Sequence, residues 1–308
     1  MTLHVAFPEA LLVVADGSHT HPLPARAECL AVADGRLLVG TREGLYAGRD
    51  PARLEAGGLD GHVTALAVGP AGTCWAGTEP SAVHRSTDGG RSWAARPGLT
   101  DLPSADRWSF PPRPDTHHVR WVEPDPAAPD RLYVAVEAGA LVRTDDGGAT
   151  WRDRTPDGPR DTHSMATHPD RPGVAWAAAG DGFAVTADGG DSWRFAESGL
   201  GHTYCWSVAV DPGAPDRLLC SAASGASAAH RRPAESYLYR RVGDGDWERA
   251  SGLPTGEGVT RAVLAADGAG ACYAASNAGV HRTADWGETW ERVADAPADA
   301  AVRGVAVG

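Results

Sequence analysis

Apolar and polar positions alternate over short runs along the chain, as in Ala82-Val-His-Arg85, and the runs stop at clusters of Gly, Pro, Asp, Ser or Thr. Alternation with period two gives a strand one inward and one outward face, and clustered turn formers reverse the chain between strands. The pattern predicts many short strands joined by tight turns. No stretch approaches the roughly 18 apolar residues that a membrane-spanning helix requires.

The runs belong to a repeat. Ser86-Thr-Asp88-Gly-Gly90-Arg-Ser92-Trp93, Thr144-Asp-Asp146-Gly-Gly148-Ala-Thr150-Trp151, Thr186-Ala-Asp188-Gly-Gly190-Asp-Ser192-Trp193 and Thr283-Ala-Asp285-Trp-Gly287-Glu-Thr289-Trp290 share the spacing S/T-x-D-x-G-x-S/T-W. Each follows one alternating run and precedes another, which makes it a hairpin turn. The carboxylates of Asp88, Asp146, Asp188 and Asp285 are suited to accept hydrogen bonds from their own turns, the Gly to supply positive φ, and the Trp to fill the gap between neighbouring sheets. These Asp are therefore read as structural. The flanks repeat too: Asp125-Pro-Ala-Ala-Pro-Asp-Arg-Leu matches Asp211-Pro-Gly-Ala-Pro-Asp-Arg-Leu. Each unit is a strand A, a turn, strand B, a short loop, strand C, the Asp turn and strand D.

The four turns resemble the Asp-box (BNR) repeat of sialidases, sortilin-type receptors and xyloglucanases, which implies a β-propeller. Strand A is expected to begin near residues 27, 62, 118, 163, 204 and 259, two of these units having degenerate Asp turns. A seventh unit is split. Val302-Arg-Gly-Val-Ala-Val-Gly308 has the strand A pattern, and Leu3-His-Val-Ala-Phe-Pro-Glu-Ala-Leu-Leu-Val-Val14 reads as strands B and C. The expected fold is all-β: a single seven-bladed β-propeller domain over residues 1–308, with four-stranded antiparallel blades and a ring closed by both chain ends.

Composition narrows the partners. The net charge is −12 and all 28 basic residues are Arg. An acidic surface disfavours nucleic acid and anionic membranes, and the lack of Lys excludes Schiff-base chemistry. The five Cys are widely spaced without a CxxC pair, as expected of small buried hydrophobes, and the first residues lack the charge and cleavage pattern of a secretory signal. A cytoplasmic monomer acting on a small-molecule ligand is the expectation.

Chemistry concentrates at the start of strand A. His62, His118 and Tyr204 align by repeat register, and Glu28, Arg120, His163, Trp206 and Arg303 align one pleat further in. Two insertions, 98–116 and 224–236, fall on the same face of a propeller, opposite the Asp turns. The first carries Trp108 and Phe110 as apolar walls, and the second could be a lid. The expected site is a funnel in which His118 or His163 is the general base, Tyr204 supplies a wall or a proton, and Arg120 acts catalytically while clamping an anion with Arg303. Arg261, Trp206, Trp108, Glu28 and His117 add substrate contacts. In an alternative arrangement, His62, His118, His163 and His202 hold a divalent transition metal as cofactor. His84, His168, His230 and His281 read as ordinary surface or turn residues.

The leading reading is an enzyme acting on a polar or anionic small molecule, with hydrolase, lyase and oxidoreductase chemistry all open. A non-catalytic protein- or glycan-binding scaffold is the alternative. A sialidase-like glycosidase would use Arg120, Arg261 and Arg303 as its arginine triad and Tyr204 with Glu28 or Glu257 as its nucleophile pair. The chain lacks the Arg-Ile-Pro segment of that family and has one blade too many for it. It also has length for only one of the two propellers of a xyloglucanase.

Overall fold

Each repeat folds as an antiparallel meander, and seven such sheets are arranged around one axis in a computed structural model that describes residues 1–297 and 301–308. The innermost strands are Ala27–Ala33, His62–Val68, Val119–Pro124, Thr162–Thr167, Tyr204–Asp211, Val263–Ala266 and Gly304–Val307. They are numbered here as blades 1 to 7. Each inner strand touches the next around the circle, and the last touches the first. In blade 6 the strand begins four residues later than expected. In blade 3 only three strands pair fully, the fourth being reduced to a single bridge between Arg143 and Arg152.

Blade 7 is built from both chain ends. Gly304–Val307 pairs with Leu3–Ala6 from Leu3 opposite Val307 to Ala6 opposite Gly304, and Ala10–Val14 and Ser18–Pro22 complete the sheet. Every inner strand then has an inner strand beside it on both sides, and each blade keeps one short edge facing the axis. An apolar cluster fills each of the seven gaps between adjacent blades. In blades 2 to 6 the Trp after the outer turn leans onto the preceding blade. Trp151 Nε1 donates to Pro97 O at 2.9 Å, and Trp247 Nε1 to Ala196 O at 2.8 Å. All five Cys are buried and unpaired.

The Asp turns work as their residue types demand. Asp146 Oδ1 accepts from the amides of Ala149 and Thr150 and from the Thr144 hydroxyl, and Oδ2 accepts from the Thr150 hydroxyl at 2.6 Å. Gly148 sits at φ +83°, where an added Cβ would also lie 2.8 Å from Arg96 Cγ. The Thr150 hydroxyl and amide hold Asp146 down at about 2, and the Thr289 hydroxyl, ahead of its amide, does the same for Asp285.

The inner strands of blades 1 to 5 share one irregularity. Near its start each shifts register by one residue against its neighbour, leaving Glu28, Thr64, Arg120, His163 and Trp206 unmatched. Such bulges kink a strand and re-aim the extra side chain. All five of these residues line the central cavity.

Two outcomes follow. Removing residues 304–308 exposes the Leu3–Ala6 edge, and a lower unfolding midpoint with concentration-dependent aggregation is expected by calorimetry and gel filtration. A carboxyl held below its unfolded value stabilises the fold above that value and loses the contribution as pH falls through the folded one. The double variant Asp146→Asn/Asp285→Asn should therefore melt earlier than the native chain at pH 7. The gap should narrow as pH falls from about 4 to about 2 in a thermal-melt series.

Candidate functional site

The starts of the inner strands, the ends of their antiparallel partners and both insertions meet at one mouth of the axis, opposite the Asp turns. They line a solvent-open funnel. Strand pairing fixes who meets whom. His62 lies opposite Glu79 in register, and Val119 opposite Val136 brings His118 beside Glu137.

Three carboxylates organise the mouth. Glu28 contacts Arg303 Nη1 at 3.2 Å and Arg42 Nε at 2.9 Å. Glu79 is gripped through both oxygens by Arg113 and lies 3.2 Å from His62 Nδ1. Buried Glu137 accepts from His118 Nε2 at 2.7 Å, with Arg120 Nε at 3.8 Å. Burial pushes the Glu137 carboxyl up, but the His118 bond and the Arg120 charge outweigh it and hold the group down at about 2. Burial lowers His62 despite the pull of Glu79 and Glu28. Since a carboxylate only accepts, His118 carries its proton on Nε2, and its buried Nδ1 has no partner.

Arg261 differs from the other guanidiniums. Its Nη1 donates to His230 Nδ1 at 2.9 Å and Ala229 O at 3.3 Å, and its Cζ lies 4.1 Å from the centre of the Trp206 ring, but no carboxylate among the described residues is paired with it. Burial, then the charges of Arg120 and Arg303, push it down to about 10. The same burial, reinforced by Arg261, pushes His230 down to about 4, so His230 is neutral at pH 7. Arg120 also lies over Trp206, at 4.8 Å.

A chain of hydrogen bonds leads inward from Arg261. A guanidinium only donates, so His230 accepts at Nδ1 and carries its proton on Nε2, 3.1 Å from Tyr204 Oη. Tyr204 Oη is 3.3 Å from His163 Nε2. His163 is fully buried, and its Nδ1 lies 2.7 Å from the Cys205 carbonyl, which fixes a proton on Nδ1, so that the neutral ring has its lone pair on Nε2.

No family model matches the chain. No curated protein matches it either. Solved structures do resemble it. A GH74 enzyme from Niastella koreensis superposes with TM-score 0.66 at 17% identity, over 87% of this chain and 47% of that one. Virginiamycin B lyase from Staphylococcus aureus gives 0.59 at 13% identity, over 87% and 85%. YCF48 bound to D1 peptide gives 0.58 at 19%, over 85% and 79%. At these identities the likeness is one of fold. The chain spans about half the length of the GH74 enzyme.

Of the residues singled out in the sequence, Glu28, His62, His118, Arg120, Trp206, Arg261 and Arg303 line the funnel, with Tyr204 and His163 directly behind. Others do not join them. His202 stacks on Tyr237 at 3.8 Å and bonds Tyr239, away from the mouth. Trp108 is buried in the cluster between blades 2 and 3, held by Ser104 Oγ, so Phe110 alone serves as the wall. His117 packs edge-on to Trp108. The four-histidine set does not assemble. Among the described residues the group of three ligand types whose atoms lie within 4.8 Å of one another is Glu137, Asp161 and His163. Tyr204 bonds neither Glu28 nor Glu257; its hydroxyl lies between two imidazoles. His230, read as an ordinary residue, lines the funnel, and His168 and His281 are buried.

Glu79, Glu137, Arg42 and Arg113 were not singled out. The signal for the first three lay in extending the repeat alignment from the start of each strand A to the end of its strand B partner. Replacing Glu137 with Ala strands His118 Nε2 and Arg120 in a buried place. A loss of about 2–3 kcal/mol in unfolding free energy is expected by urea denaturation.

Proposed function

We propose that the funnel binds a small organic anion and that the chain is an enzyme acting on it by proton transfer. The observation that supports this reading is Arg261, a guanidinium deep in the funnel with no carboxylate partner among the described residues. Burying a charge without a counter-ion is unfavourable, so such a group is kept where a ligand supplies the missing charge. Arg42 and Arg113 are already engaged by Glu28 and Glu79. Arg261, with Arg120 and Arg303 beside it, forms the anion clamp. His118, oriented by Glu137 through Nε2, presents its Nδ1 lone pair as the base. Phe110 lies edge-on to its ring at 4.8 Å and screens it. Neutral His230 is engaged at both nitrogens, by Arg261 and by Tyr204, and ties the clamp to His163 behind it. Proton transfer with anion stabilisation serves hydrolysis and elimination alike. A second reading, a non-catalytic propeller that captures a carboxylate-ended peptide, draws on the same arginines and on the peptide-bound likeness of YCF48. The repeat's resemblance to Asp-box proteins is compatible with both.

The test is calorimetric titration with sulfate, phosphate and a series of mono- to tricarboxylates, followed by a turnover screen on the binders. Arg261→Met should weaken binding at least about tenfold while leaving the unfolding midpoint unchanged or higher, because it removes an unpaired charge. His118→Ala should keep binding and lose about a hundredfold or more in turnover. No anion binding, or equal binding by Arg261→Met, overturns the reading. Binding of carboxylate-ended peptides without turnover of any small molecule selects the scaffold.

A further inference from the structure

The geometry points to a divalent transition-metal site formed by Glu137, Asp161 and His163, at the junction of blades 3 and 4 beside the funnel. The inference does not rest on the anion reading, since a metal can bind there whether or not the funnel turns over an anion.

Three observations carry it. The first is the tautomer of His163. Its Nδ1–H is committed to the Cys205 carbonyl, so the lone pair on Nε2 faces Asp161 Oδ2 at 3.6 Å, with a Glu137 oxygen inside the same 4.8 Å set. Three electron-pair donors converge, and the donor in that space is the Tyr204 hydroxyl, 3.3 Å from Nε2. The second is that each ligand is steered by a contact on its far side. Cys205 O orients His163, the Ala138 amide holds Asp161 Oδ1 at 3.0 Å, and His118 holds Glu137 Oε2 at 2.7 Å. Outer contacts of this kind orient metal ligands and fix the imidazole tautomer. The third is the space kept for the carboxylate. A Cβ on residue 180 would fall 2.2 Å from Asp161 Oδ2, so Gly180 is what lets the group turn inward.

One nitrogen and two carboxylates suit zinc, manganese or cobalt, and Asp161, the most exposed of the three, gives the ion its way in. Arg120, 3.8 Å from Glu137 Oε2, opposes the ion on the side facing His118. The competing arrangement has a proton on His163 Nε2 instead, giving an imidazolium between two carboxylates.

The experiment is titration of the chelator-treated full-length chain with Co²⁺, followed by visible absorption, with Zn²⁺ and Mn²⁺ as competitors. One saturable site per chain with ligand-field bands is expected. Asp161→Asn keeps the Oδ1 acceptor for the Ala138 amide and should weaken Co²⁺ at least about tenfold. His163→Ala should abolish the bands, and His202→Ala should leave them unchanged. If His163→Ala fails to fold, Asp161→Asn decides alone. Absence of a saturable site favours the imidazolium and overturns the proposal, as does binding that survives Asp161→Asn.

Discussion

Pairing of the two chain ends in blade 7 is the contact on which the rest depends. Closing a loop of some 300 residues costs about 5 kcal/mol in chain entropy beyond a constant term. Four residue pairs of backbone bonding, at about 1 kcal/mol for a typical hydrogen bond, do not comfortably exceed that. The surplus comes from the apolar cluster between blades 6 and 7, which packs Leu3, Val5, Phe7 and Leu12 against Tyr273, Val280 and Val302 and exists only when the ring is shut. Closure and packing are therefore one event. The same event delivers Arg303, whose amide bonds Ala6 O and whose guanidinium meets Glu28 of the next blade.

Closure makes an axis, and the inner-strand bulges furnish it. A regular strand sends alternate residues toward its two neighbouring blades, where they must be apolar. The unmatched residue in blades 1 to 5 escapes that requirement. Hence a carboxylate, a hydroxyl, a guanidinium, an imidazole and an indole occupy equivalent places without disturbing the gaps between blades. The opposite mouth is built otherwise. There the Asp turns consume their own carboxylates in local bonds, and so hold the hairpins while offering little to a ligand.

Much of this was legible because repetition converts sequence spacing into geometry. The Asp turns, the split blade and the aligned Glu28, Arg120, His163 and Trp206 were all readable from register. What register did not carry went astray for identifiable reasons. Glu79 and Glu137 lie across the strand from His62 and His118, so they emerge only when strand pairing is followed as well as strand equivalence. His230 sits on the helix Ala226–His230 within an insertion, which has no counterpart in the other units. Trp108 occupies the other insertion, and there the apolar gap between blades 2 and 3 competed with the funnel for the indole and won. His202 precedes its inner strand by two residues, and the stack on Tyr237 turned it away from the axis.

The exclusive use of Arg fits this site. Trp206 carries two guanidiniums, from Arg120 and Arg261, each within 5 Å of its ring. A planar cation can lie on an indole and still direct N–H groups from its edge, whereas an ammonium is a compact, strongly hydrated point charge. Stacking holds Arg261 in place without neutralising it, and among the described residues the side chain its fork bonds is a neutral imidazole, His230, on the inserted helix. The charge therefore remains available, and its orientation depends on the inserted helix that carries His230. A ligand that bonds the free edge of Arg261 need not displace His230.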